Sequence, residues 1–536
     1  MEVKTLTINN FQGRLTRYYD GDINAGYAKY SNTFGNDPFT DPGGLTWFES
    51  PTEIDSGHSV ITDLIMASKV RLESGITYVY AIGHTGRLYK IQVNDPTTYN
   101  PNYDNPVLLT TLTSGSPTFK YGASIQFYGS TEKIFIGHDK GVTKVNFNGT
   151  GETFVGVAGS YTASVPRPSV NFLAKLYFGN GTNIVEIDST ELVISYSKLS
   201  PAFPSGTQVR DVDVSPDGNY MQIVVSRVPQ ADMTVSTQDT SSLSSGDSYF
   251  LLWNGIDLAY TSYNPYNSYS LNANTSFGPY SYTMGYDLGG AAIYSGGQKI
   301  VSLPSSLSPN FNSLFSTGNL MGFGAPENTL LPDGNTTLKG TMTVYGNYDN
   351  EIPTGLFRWF RLAASSPETD IIQMPMTQIV SNLFYGSSSA GYTGNQVGSA
   401  KLYFSTLEVS NSPTTAYNLY KFTTVPTGLG TVMNGVYETQ NQLFSKKIKI
   451  SQVRIYFDPV ITNNAFTILL IGSDASQLDN SNYTFTVGTN LTAGQDYAWY
   501  NPEVPETYSL GVRITNVGSK NMVITKIECD YTDGGI

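Results

Sequence analysis

Histidine is the side chain whose ordinary pKa suits proton transfer and metal binding near neutral pH. This chain of 536 residues has three: His58, His84 and His138. It has a single cysteine, Cys529. Zinc sites draw on Cys and His in paired, closely spaced sets, which one Cys and three scattered His do not supply. A Ser-His-Asp nucleophile would have to use one of these histidines, and the chain has no Gly-x-Ser-x-Gly elbow. Nor does it contain a Walker phosphate loop, a dinucleotide fingerprint or an EF-hand calcium loop. The expectation is therefore no catalytic residues, no cofactor-binding residues and no metal ligands. Carboxylate chemistry alone stays open, because glycoside hydrolysis needs only two carboxyl groups brought together in space, and there are 43 acidic residues.

The histidines matter more for what surrounds them. Ile82-Gly-His-Thr-Gly-Arg-Leu-Tyr-Lys-Ile-Gln-Val93 aligns without gaps to Ile136-Gly-His-Asp-Lys-Gly-Val-Thr-Lys-Val-Asn-Phe147, 54 residues on. A looser third copy is Tyr177-Phe-Gly-Asn-Gly-Thr-Asn-Ile-Val-Glu-Ile-Asp188. Each reads as strand, Gly-containing turn, strand. A side chain recurring in such a repeat serves packing more often than ligation, so His84 and His138 are expected at equivalent places in adjacent units. Units of about 40–50 residues with about four strands are propeller blades, whose hairpins bury their faces only by stacking around an axis.

Further hairpins are predicted at 212–225, around Asp217-Gly218, and at 250–259 and 291–301. Two more pair 341–345 with 356–362 and 401–405 with 417–422. These make about six to eight blades over residues 46–430. Segments 230–248 and 264–282, rich in Ser, Thr, Tyr and Asn, are read as long loops. Tyr260, Tyr263, Tyr266, Tyr269, Tyr280 and Tyr282 would give the second a contact surface or pack within it. From Phe444 strict alternation begins, as in Lys446-Lys-Ile-Lys-Ile-Ser-Gln-Val-Arg-Ile-Tyr-Phe457, and predicts a jelly-roll-like β-sandwich over 444–536. Residues 1–45 are expected as an arm or a ring-closing strand. The fold class is all-β.

Composition agrees: 14% charged residues, with 52 Gly and 38 Tyr in their place. Aromatic content of 13% is far from that of a disordered chain. A formal net charge of −13 argues against a dedicated nucleic-acid or anionic-membrane binder. It leaves room for DNA passing along a wall that repels it. One cysteine rules out an intrachain disulfide, and the N-terminus lacks the apolar stretch of a secretory signal. The densest apolar run, 465–472, is well short of the ~20 residues that cross a bilayer as a helix. A soluble product made in the cytoplasm, without membrane insertion, is expected.

Propeller sialidases carry a Ser-x-Asp-x-Gly-x-Thr-Trp turn and an arginine triad. The nearest segment, Ser215-Pro-Asp-Gly-Asn-Tyr220, has its Gly one place early and no Trp, and resembles the Ser-Pro-Asp-Gly turn of non-enzymatic propellers. The opening motifs Phe11-Gln-Gly-Arg-Leu-Thr-Arg17, Tyr19-Asp-Gly-Asp22 and Asp37-Pro-Phe-Thr-Asp-Pro-Gly-Gly-Leu-Thr-Trp47 resemble structural proteins of tailed-bacteriophage virions. The Gly/Asn/Ser/Thr/Tyr-rich β texture of roughly the first 230 residues resembles them too. That resemblance implies a non-catalytic tail component, of nozzle, tube or tail tip, located in the virion. It would be a homo-oligomer in contact with other tail proteins. The alternatives are a receptor- or carbohydrate-binding tail protein facing a host surface glycan, with the sandwich as binding module, and a propeller glycoside hydrolase.

Overall fold

The computed structural model describes residues 2–9, 30–34, most of 44–92, 105–227, most of 247–303, the strands between 314 and 423, and the strands between 435 and 533. Its regular structure among the described residues is β-strand without helix. The described residues form seven small sheets in chain order and one large one.

The first three small sheets are meanders of four antiparallel strands. The first runs Ile65–Glu73, Ile76–Gly83, Arg87–Gln92 and Asn105–Thr111. The second runs Ser124–Tyr128, Lys133–His138, Gly141–Val145 and Thr153–Phe154, and the third Ser169–Phe172, Lys175–Asn180, Asn183–Ile187 and Val193–Ser195. The three repeat copies are the hairpins between second and third strands of these sheets. Gln208–Val214, Met221–Ser226, Ser248–Trp253 and Ser262–Tyr266 make the fourth sheet. Ser270–Phe277, Tyr280–Asp287, Gly290–Ser295 and Gln298–Ser302 make the fifth. The sixth comprises Phe315–Thr317, Leu320–Leu330, Thr336–Gly346 and Gly355–Arg361. In the seventh, Ile371–Gln373 and Ile379–Val380 both pair with Lys401–Val409, followed by Thr415–Thr423. Thr52–Ile54 adds its outermost strand, in register Thr52↔Lys421 to Ile54↔Leu419.

Each sheet packs on the next, and the seventh on the first. First strands of the early sheets touch one another in sequence, so they converge at the centre of the ring. This is a seven-bladed propeller among the described residues, closed by a strand from before the first blade. Its core lies between blades: Leu64, Tyr80, Ile82 and Leu88 of the first pack with Ile125, Ile134 and Ile136 of the second. Gly137 shows why the repeat keeps glycine, since a Cβ there would lie 2.6 Å from Ser124 Oγ and 2.8 Å from Arg167 O.

The chain divides into two compact units, 52–340 with 363–421, and 1–51 with 341–362 and 422–536. The second unit holds the large sheet, a β-sandwich linked by one long strand, Gln442–Phe457, whose register shifts between Leu443 and Ile448. Its first residues pair with Thr507–Asn516. Its remainder lies between Ile524–Asp533 and Tyr497–Tyr500. Val453, Ile455, Ile527 and Cys529 are buried on one inner face, and Ile468, Leu470, Val512 and Ile514 on the other.

Three sequence readings change. Val3–Ile8 pairs with Ile524–Asp533, and Tyr30–Phe34 with Val436–Thr439, so these parts of 1–45 belong to the sandwich sheet and ring closure falls to Thr52–Ile54. Pairing across more than five hundred residues leaves no local trace in spacing. The described residues of segment 264–282 are mainly strand rather than loop, belonging to Ser262–Tyr266, Ser270–Phe277 and Tyr280–Asp287, and the polar Ser270, Asn272, Asn274 and Thr275 are buried with Leu271 and Ala273. The partner of Ser248–Trp253 is Ser262–Tyr266 instead of 256–259. Segment 230–248 lies, except for its last residues, outside the described residues, as do His58 and Tyr269.

Candidate functional site

Titratable side chains in the ring cluster where strands of different origin meet. Asp63, fully buried just before the first blade, receives Thr85 Oγ1 at 2.8 and 2.7 Å and the Tyr89 hydroxyl at 3.0 Å. His84 Nδ1 lies 3.2 Å from the same carboxylate and 3.2 Å from Leu64 N. Burial alone would raise the Asp63 pKa; the donors from His84, Thr85 and Tyr89 outweigh it and hold the carboxyl below its ordinary value. The result ties the blade's first strand to the hairpin between its second and third.

His138 occupies the matching hairpin of the second blade, fully buried. Lys140 N donates to Nδ1 at 3.2 Å, which leaves Nε2 to donate to Thr143 Oγ1 at 3.1 Å. Burial first, and the Arg167 charge second, push its pKa down to about 4, so the ring is neutral at physiological pH. The two histidines thus share a place in their hairpins but not their partners.

Arg167 stands between prolines 166 and 168, at 2% exposure. Its guanidinium donates to His138 O at 2.8 Å, Gly179 O at 3.0 Å, Asn180 Oδ1 at 2.9 Å and Thr162 O at 2.6 Å. It therefore spans the hairpin ends of the second and third blades and the segment between them. Burial lowers its pKa to about 10, well above neutrality, and the cation persists.

Two carboxylates do the converse job at the fourth blade. Asp211 and Asp213 alternate on the first strand of that blade and accept the N–H groups of Asn274 at 2.8 Å and Ser276 at 3.0 Å, on the first strand of the fifth. Each also accepts an N–H within its own strand, from Val212 and Val214. Ser276 Oγ returns a bond to Val214 O at 2.9 Å. Burial is the largest influence on both. It pushes Asp211 up to about 7, with the N–H of Asn274 opposing and the charge of Asp213 adding, and Asp213 up to about 6. Other first strands are joined in the same manner: Lys69 bonds Gln126, Gln126 Nε2 donates to Ser169 O at 3.0 Å, and Asn171 Nδ2 to Phe127 O at 3.1 Å.

Carboxyls with pKa values near 6–7 are in the range used for general acid catalysis. Asp211 and Asp213, however, stand on one face of one strand rather than on two walls facing across a scissile bond, and both hold two backbone N–H groups. Among the described residues no group of three or more His, Cys, Asp or Glu is arranged to hold a metal ion. No helix among them is long and apolar enough to cross a membrane. The sequence pointed to His84 and His138 and missed Asp211, Asp213 and Arg167. The available signals were carboxylates spaced two apart among valines on a strand, and an arginine fixed between two prolines.

No family model matches the chain, and no curated protein matches it. Solved structures do. A chain from a crystal structure of the mitotic checkpoint complex matches over 77% of this chain and 99% of its own, at 11% identity and a TM-score of 0.38. The Cps50 (Swd1) β-propeller domain of Myceliophteria thermophila matches over 69% and 99%, at 8% identity and a TM-score of 0.37. The extracellular domain of a putative hybrid two-component system from B. thetaiotaomicron matches over 90% and 59%, at 8% identity and a TM-score of 0.39.

Proposed function

We propose that this chain is a non-catalytic structural component of a tailed-phage virion, part of a nozzle, tube or tail tip, acting through protein–protein contacts as a homo-oligomer. The observation that carries this reading is the distribution of exposed apolar side chains. The outermost strand of the first blade exposes Val107 and Leu108, that of the third Ile194 beside Leu192, that of the fourth Tyr263, and that of the fifth Ile300. Val157 follows the outermost strand of the second blade, and Ile256 and Leu258 precede that of the fourth. Single exposed hydrophobics are ordinary. Recurrence on five successive blades marks an apolar rim, and a rim of that kind suits permanent contacts with other copies of the chain.

Two further points support it. The ionisable groups best placed for chemistry, Asp63, His138, Arg167, Asp211 and Asp213, bond to backbone groups and side chains that hold the ring together. The motifs between residues 11 and 47 resemble virion proteins, and the net charge of −13 would let DNA pass without sticking. Sedimentation of the purified 58.4 kDa chain tests the reading. An assembly larger than the monomer that dissociates in a Leu108→Asp, Ile194→Asp variant is expected. A chain that stays monomeric and hydrolyses a glycan contradicts it.

A further inference from the structure

The outer face of the terminal sandwich carries a second, chemically different surface. Thr7, Glu528, Arg454 and Trp499 stand opposite one another on four neighbouring strands, in a single cross-strand row. Lys526, Tyr456 and Tyr497 form the next row. Residues between them in sequence, Val453, Ile455, Ile527 and Ala498, point into the core, so the pleat directs both rows outward. At about 4.8 Å between strands, four strands give a row about 14 Å long.

Two aromatic side chains stand unusually open there. Trp499 is 55% exposed and Tyr497 48%. The charged groups beside them are locked to one another. Arg454 Nη2 donates to Asp530 at 2.9 Å, and its Nε lies 3.1 Å from Glu528. Glu528 also receives the Tyr456 hydroxyl at 3.0 Å and Lys526 at 3.0 Å, while the Lys526 ammonium sits 4.1 Å from the centre of the Tyr456 ring. Fixed side chains lose little entropy on binding, and Trp and Tyr present large rigid faces with few torsions.

We propose that this face is a carbohydrate-binding site, in which Trp499 and Tyr497 stack on the apolar C–H faces of sugar rings while Arg454, Glu528 and Lys526 hydrogen-bond the hydroxyls around their edges. Sugars need both kinds of contact at once, flat apolar area and dense charged or polar partners. A protein partner fits less well: the core of a protein interface is depleted in charged residues, and here charges occupy the middle of the face. The site lies wholly on the sandwich and does not rest on the assembly role proposed above.

The test uses the full chain with cellohexaose, chitohexaose and a bacterial lipopolysaccharide O-chain, followed by calorimetry and tryptophan fluorescence. The chain has four tryptophans, Trp47, Trp253, Trp359 and Trp499, so a change in emission on binding that disappears in Trp499→Ala assigns the signal to this site. Saturable binding to at least one probe is expected. Trp499→Ala should weaken it at least tenfold and Glu528→Gln less, with Tyr497→Ala between them, and thermal melts should stay unchanged because both aromatic rings are exposed. Failure to bind any probe overturns the inference while leaving the assembly role standing. So does binding that persists in Trp499→Ala. A purified protein partner whose binding alone depends on Trp499 would reassign the face to protein docking and also overturn it.

Discussion

The joint between the second and third blades and the joint between the fourth and fifth solve one problem in opposite ways, with a hydrogen-bond donor at one and acceptors at the other. A propeller brings strands of separate sheets together at its centre and at its hairpin ends, where backbone groups have no ladder partner. Buried backbone polar groups must nevertheless be paired. At the first joint the surplus is carbonyls, and one guanidinium supplies four donors to them. At the second the surplus is N–H groups, and the carboxylates of Asp211 and Asp213 accept them in matching register, 211 to 274 and 213 to 276. Geometry sets the group that is used: a forked cation for carbonyls from three segments, a pair of carboxyl acceptors for a row of amides. The difference also sets what each joint tolerates.

The Arg167 joint should be the most fragile. Arg167→Met leaves several buried acceptors without donors and should cost ~3–5 kcal/mol, read as a large fall in thermal midpoint. Arg167→Lys keeps the charge but loses the fork, and should recover only part of that. If the methionine variant melts like the parent, the guanidinium is not the clamp described.

The carboxylate joint should be weaker per group. Asp211→Ala orphans the N–H of Asn274 and should cost about 1–3 kcal/mol. Adding Asp213→Ala should cost more than the sum of the two single changes, since the second carboxylate holds the same strand pair in register. Strict additivity would show that the two bonds act independently.

pH distinguishes the joints. Asp211 rises from an ordinary 3.8 to about 7 and Asp213 to about 6. The folded chain therefore keeps protons that the unfolded chain has released, and the contribution to stability, full below 3.8, is lost as pH rises through 6 to 7. His138 acts oppositely: lowered from 6.5 to about 4, it makes the folded chain lose stability as pH falls through that window. Chemical denaturation of the wild type against Asp211→Asn, Asp213→Asn isolates the first effect, and the variant should lose less stability than the wild type between about pH 5 and pH 8. The Arg167 joint should contribute no slope there, because its cation persists far above that range. The smallest effect belongs to the sandwich edge, where the Lys4–Asp533 pair at 2.9 Å is exposed on both sides; Lys4→Ala should leave the melt unchanged.

The part of this architecture written in local pattern was legible in sequence. Ile82-Gly-His and Ile136-Gly-His marked two hairpins of the ring, and the alternation from Lys446 marked the long strand of the sandwich. What depends on distant partners was not. Thr52–Ile54 gives no hint that it closes the seventh blade, and Val3–Ile8 none that it borders Ile524–Asp533. Ser270–Phe277 looked like a loop because Asn and Ser dominate it. Those residues are tolerated in a strand here because their side chains are paired: Asn274 Nδ2 donates to Gln222 Oε1 at 3.2 Å and Ser276 Oγ to Val214 O at 2.9 Å. The joints themselves were invisible for the same reason: an Asp at alternate positions reads as a solvated face until a second strand is placed against it.

The most direct test of the account is an electron-microscopy reconstruction of the purified protein. It should show several copies of the chain meeting through the outermost strands of the propeller, with Leu108, Leu192 and Ile194 covered by a neighbouring subunit. A reconstruction of a lone propeller with that rim open to solvent would contradict the proposal that this protein works by assembly.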